Sequence, residues 1–122
     1  MNKPLESVIN EWCDWIISEK RLSNNTTSSY VRDFRSFVDF LGSHYGNKIE
    51  FEDLRKINED DLTGWFFQRI KNHVSHRSNA RALSSIKSFF LFLTKKKLIK
   101  SSAILFINGP KFSNSLPRPL TK

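Results

Sequence analysis

The chain has 122 residues, 39% of them apolar and 26% charged, with eleven Phe and three Trp. This is enough for one domain with one modest, aromatic-rich core. No apolar run approaches the ~18 residues of a membrane span, and the acid-bearing N-terminus "MNKPLESVINEWCDW" lacks an apolar h-region, so no secretory signal and a cytoplasmic location are expected. One cysteine, Cys13, cannot close an internal disulfide or build a Cys-based metal site, and is expected as a small, mostly buried residue on the first helix.

The net charge of +8 is unevenly placed. Residues 1–61 carry eight Lys/Arg against all twelve Asp/Glu, whereas residues 62–122 carry twelve Lys/Arg and no acid. Solubility surfaces mix signs; a one-signed half suits a polyanion such as nucleic acid, or an anionic membrane surface.

In chain order, Leu5 to about Arg21 predicts a helix with Val8, Ile9, Trp12, Trp15 and Ile16 in one broad stripe. Ser23 to Asn25 offer an N-cap for a second helix, from about Asn25 to Ser43. Its core stripe is Tyr30, Phe34, Phe37, Val38 and Leu41; Asn25, Ser28, Ser29, Arg32, Arg35, Ser36 and Asp39 lie opposite. Gly42 and Gly46 fit its termination. The connection Asn47–Ile57 predicts a short helical turn that buries Phe51, Leu54 and Ile57. Asn58 caps a third helix, with Glu59, Asp60 and Asp61 in the first turn, where the helix dipole favours anions over any metal-site reading, and with Leu62, Trp65, Phe66 and Ile70 facing the core.

A fourth helix opens near Ser75–Ser78 and runs to about Lys96. At ~100° per residue, Ala82, Leu83, Ile86, Phe89, Phe90 and Leu93 share one face, and Arg77, Ser78, Arg81, Ser84, Ser85 and Ser88 the other. Serines let a helix backbone approach a second surface, and arginine grips phosphate or the O6/N7 edge of guanine. This polar face, and the weaker one on the second helix, suit a DNA major groove. Asp33 is expected to pair with a neighbouring cation. "SSAILFI" predicts a short fifth helix, and "NGPKFSNSLPRPLTK" an extended tail or interdomain linker. His73 and His76 lack acid or Cys partners for a metal, and no Gly-rich phosphate loop, nucleophile elbow or HExxH motif is present. Neither a cofactor, a membrane nor a small-molecule substrate is expected.

Three motifs, in order along nearly the whole chain, carry a family resemblance. "RLSNNTTSSYVRDFRSFVDFL" resembles the second-helix signature of Xer-type tyrosine recombinases of the phage-integrase family. "SHRSNARALSSIKSFFLFLTKKKLI" resembles the family's fourth helix, and "GPKFSNSLPRPLT" its linker to the catalytic domain. The sequence looks nearer the XerC than the XerD branch. Ser101-Ser102-Ala103 stands where the family usually has Asn-Pro-Ala.

The resemblance implies an all-α, SAM-like core-binding domain of four main helices plus a short C-terminal helix over 1–109, with a linker over 110–122. It also implies one half of a C-shaped clamp on a double-stranded recombination half-site, with the second and fourth helices facing the major groove. In the family, the catalytic Arg, Lys, His and nucleophilic Tyr lie in the domain that would follow. The expectation is therefore a DNA-binding piece with no catalytic residue or metal of its own, from a recombinase that pairs with a partner recombinase in a tetramer. The expected DNA contacts are Asn25, Thr27, Ser29 and Arg32 of the second helix and Arg77, Ser78, Arg81, Ser84, Ser85 and Lys87 of the fourth. Lys95 to Lys97, Lys111 and Arg118 would follow the phosphate backbone. The alternative is a helical protein-interaction module; a small enzyme is disfavoured by the lack of a convergent catalytic set.

Overall fold

Aromatic rings meet at the centre of the computed structural model, which describes residues 4–100. Phe34 and Phe89 stack at 4.0 Å between centroids, and Trp12 sets its edge against both, at 5.6 and 5.2 Å. The three rings come from three helices: α1 (Leu5–Ser18), α2 (Asn24–Tyr45) and, after α3 (Glu59–Lys71), α4 (His76–Lys95). A 3-10 turn spans Phe51–Lys56 between α2 and α3. No strand occurs among the described residues, and the architecture is an all-α bundle of the SAM-like kind.

Local chemistry sets most of the boundaries. The Ser23 hydroxyl accepts from the Thr26 N–H to open α2, and Gly46 closes that helix at φ 77°, a left-handed conformation that costs glycine little. Asn58 and Asp61 form a reciprocal capping box at the start of α3, and the Ser75 side chain accepts from the Ser78 N–H to open α4. Helix α1 ends at Ser18, three residues before the expected Arg21, because Arg21 turns left-handed at φ 57°. Gly42 lies inside α2 rather than ending it. A Cβ there would sit 3.3 Å from the Asn47 carbonyl, so glycine lets the returning chain pass close.

The expected core residues are buried in every element: Val8, Ile9, Trp12 and Ile16; Phe34, Phe37 and Leu41; Phe51, Leu54 and Ile57; Leu62, Trp65 and Phe66. Trp15, Tyr30, Val38 and Ile70 are half-buried, as is Cys13, whose thiol pKa is pushed up by burial. The expected fifth helix and the 110–122 linker lie outside the described residues.

The largest interhelical contact is α2 against α4, and α4 is the most enclosed helix. Its buried set is Asn79, Ala82, Leu83, Ser85, Ile86, Phe89, Phe90, Phe92 and Leu93. At ~100° per residue these cover about half of its circumference. The outer face of α4 is therefore narrower than the sequence pattern implies, and it is centred roughly 70° away from the expected Arg/Ser face, on Arg77, Ala80 and Ser84.

Candidate nucleic-acid interface

The outer face of α2 is where its periodicity puts it. Asn25, Ser28, Arg32, Ser36 and Asp39 are exposed, and Ser29 is half-exposed with its hydroxyl accepting from Arg32 Nη2 at 3.2 Å. Thr27 is different. It is 6% exposed, lies in the groove with Cys13 and Ile17 of α1, and its hydroxyl has no hydrogen-bond partner. Facing α1 rather than solvent, it offers no hydroxyl to a ligand, contrary to expectation. Arg35 is engaged by Glu6 of α1 through two bonds of 2.6 and 2.9 Å, which hold the Glu6 carboxyl below its ordinary pKa.

On α4 the expected polar face divides. Arg77 and Ser84 are exposed, and Ser78 and Lys87 half-exposed. Ser85 is fully buried and donates to the Tyr30 carbonyl of α2 at 2.6 Å. It is a seam residue, not a contact residue, because α2 crosses α4 at this turn. Ser88 is half-buried and accepts from Trp12 Nε1 at 3.1 Å, joining α4 to α1. Lys95, Lys96 and Lys97 are exposed at the helix end, while Lys111 and Arg118 lie outside the described residues.

Arg81 reaches the surface already engaged. Its Nε and Nη2 donate to the two carboxylate oxygens of Asp33 at 2.9 and 3.2 Å, the cation partner expected for that acid. Asp33 is 4% exposed, whereas the Arg81 side chain is 37% exposed. Arg69 of α3 comes close to the same pair. Its Nε donates to the buried Asn79 side chain at 2.7 Å, and its guanidinium lies 4.7 Å over the Trp65 ring. Burial pushes the Arg69 pKa down; Asp33 opposes that fall and Arg81 adds to it. Arg69 is absent from the sequence expectation because only the packing of α3 on α4, through Asn79, brings it there.

The other end of α2 is fixed by Tyr45, whose hydroxyl donates to Asp61 Oδ1 at 2.6 Å, pushing the phenol pKa up to about 12. Asp61 Oδ2 accepts from the Asn58 backbone in the α3 cap, so one of the three consecutive acids has a structural use. Tyr45 is thus tied to a carboxylate rather than set among cations. Among the described residues no helix is long and apolar enough to cross a membrane.

The sequence that forms these helices matches a known family. A family model for the phage integrase N-terminal SAM-like domain covers residues 9–97. The chain belongs to this family. Among its curated relatives, the tyrosine recombinase XerC of Bradyrhizobium diazoefficiens is 33% identical over 109 residues, covering 89% of this chain and 34% of the relative. XerC of Mesorhizobium japonicum is 31% identical over 117 residues, 96% of this chain and 38% of the relative. XerC of Agrobacterium fabrum is 33% identical over 110 residues, 90% of this chain and 35% of the relative. The chain thus spans about a third of the length of these relatives. No solved structure matches it.

Proposed function

We propose that this chain is the DNA-holding domain of a site-specific tyrosine recombinase, gripping a double-stranded half-site through the outer faces of α2 and α4. The observation that carries the reading is the chemistry of those faces. Helix α4 contains no acid, and its surface offers Arg77, Ser84 and Lys87 around the small Ala80. Its neighbour α2 offers Asn25, Ser28, Ser29 and Arg32. Short side chains admit a close approach while the cations meet phosphate. Family membership supports the same reading. The longer protein, as in the XerC relatives, would be a recombinase that cuts and rejoins DNA through a tyrosine, pairs with a partner recombinase in a tetramer and serves chromosome dimer resolution. The interaction-module alternative draws less support: among the described residues the exposed large hydrophobics, Ile17, Tyr45 and Phe67, lie on three different helices.

Fluorescence anisotropy with a labelled duplex, over a series of salt concentrations, tests the proposal. Arg77→Ala/Lys87→Ala should stay folded, bind more weakly and lose about 0.9 from the log–log salt slope for each phosphate contact removed. A folded double variant with unchanged affinity and slope would rule out α4 as the contact surface.

A further inference from the structure

Helix α2 carries two acids, and they occupy opposite environments. Asp39 is exposed, whereas Asp33 is buried with both carboxylate oxygens engaged by Arg81. An acid beside a DNA-binding surface ordinarily repels phosphate. Here the geometry gives it another use. A guanidinium has five N–H donors, and Asp33 takes only Nε–H and one hydrogen of Nη2. The remaining donors lie on the far edge of the fork, and the Arg81 side chain is 37% exposed.

We propose that Asp33 is a positioning residue that holds Arg81 as a pre-oriented phosphate clasp in the seam between α2 and α4. The proposal rests on the DNA-binding reading given above. An unrestrained arginine loses rotamer freedom when it closes on a phosphate; one already fixed by a carboxylate loses less at that moment. Burial keeps the Asp33 charge behind the guanidinium rather than in front of it. Arg69, fixed by Asn79 and Trp65, adds a second guanidinium close enough to influence the pair, so the group of Asp33, Arg69 and Arg81 keeps a net positive charge. The seam is therefore not electrostatically neutral despite its ion pair.

The test is the sign of an acid-to-alanine effect, measured by anisotropy on the 122-residue chain with a fluorescein-labelled mixed-sequence duplex in a salt series. Arg81→Ala should weaken binding several-fold and lower the salt slope by about 0.9. Asp33→Ala should also weaken binding several-fold and lower the slope, although it removes no cation. Asp39→Ala, which deletes the same charge from the outer face of the same helix, should tighten binding. Asp33→Ala/Arg81→Ala should bind no more weakly than Arg81→Ala, because the two residues act as one group. Asp33→Asn keeps the side-chain volume and one acceptor; it should weaken binding less and decides the matter if the alanine variant does not fold. Asp33 variants that are folded and bind as tightly as the wild type, with an unchanged slope, would overturn the positioning role alone. A wild-type chain that binds no duplex would overturn the DNA-binding reading, and this proposal with it.

Discussion

Helices α2 and α4 have similar patterns and unequal surroundings. Both pair an aromatic stripe with Arg and Ser, and each lays its stripe on the other. Yet α2 buries five residues in twenty-two, whereas α4 buries nine in twenty. Both helices touch the other three, α2 through Arg35–Glu6, Tyr45–Asp61 and Asp33–Arg81, so the difference lies in how much of each helix the neighbours cover. Helix α4 packs against α1 through Trp12, Trp15 and Ser88, against α2 through Phe34, Tyr30 and Asp33, and against α3 through Arg69. A helix enclosed from three directions must bury part of its polar face, and it does so with small or hydrogen-bonded groups: Ser85 and Asn79. Helix α2 keeps its outer face in solvent.

The largest expected effect breaks the contact the two helices share. Phe89 is fully buried, stacks on Phe34 and meets the edges of Trp12 and Phe90. Phe89→Ala should cost about 3–5 kcal/mol, from lost burial plus the cavity left behind. Thermal denaturation followed by circular dichroism should then show a chain largely unfolded at 37 °C, given the usual total of about 5–15 kcal/mol. A small fall in the midpoint would mean that the ring cluster can repack and is not the centre of the bundle.

The sequence makes the elements readable because their caps are local. Ser23, Asn58 and Ser75 each act within a few residues, and the apolar spacing identifies one buried stripe per helix. The second neighbour of a helix leaves no such local signal. Ser85 sits beside the α4 stripe rather than in it, and whether it is covered depends on where α2 crosses α4, which is a tertiary fact. Thr27 lies three residues before Tyr30 and seven before Phe34, on the core stripe of α2, so spacing alone separates it from Ser28. Asp33 is intermediate: an acid beside a core stripe implies a cation partner, but which cation depends on the packing of α2 on α4. On α2 the pattern places Asn25, Ser28, Arg32, Ser36 and Asp39 where they are found, in solvent; Thr27 is the exception, covered by α1.

The far end of α2 offers a pH-dependent way to sharpen the comparison, since α4 has no equivalent tie. The Tyr45 hydroxyl bonded to Asp61 raises the phenol pKa from 10.0 to about 12. The folded state thus binds this proton more tightly than the unfolded chain. The contribution is fully present below pH about 10 and is lost as pH rises through about 12. Tyr45 is substantially exposed, so solvent screening keeps the effect modest. Melting temperatures across that window should fall more steeply for the wild type than for Tyr45→Phe, with the two curves converging at the alkaline end. Parallel curves would mean that the bond does not persist in solution.

The smallest effect lies in two adjacent serines that the pattern places on one face. Ser85 is fully buried and donates to the Tyr30 carbonyl, so Ser85→Ala removes a buried hydrogen bond between α4 and α2 and should cost about 1 kcal/mol. Ser84, one position earlier, is exposed. Ser84→Ala should leave stability within about 0.5 kcal/mol, tending to a slight gain because alanine is the better helix former. The DNA readout should run independently of stability. Removing the Ser84 hydroxyl takes a potential donor from the outer face, whereas removing the Ser85 hydroxyl leaves that face unchanged. Urea denaturation and duplex titration of the two variants therefore locate the boundary between core and contact surface to within one residue. Equal stability losses for both would mean that α4 is rotated from its described orientation, and would move the proposed contact face with it.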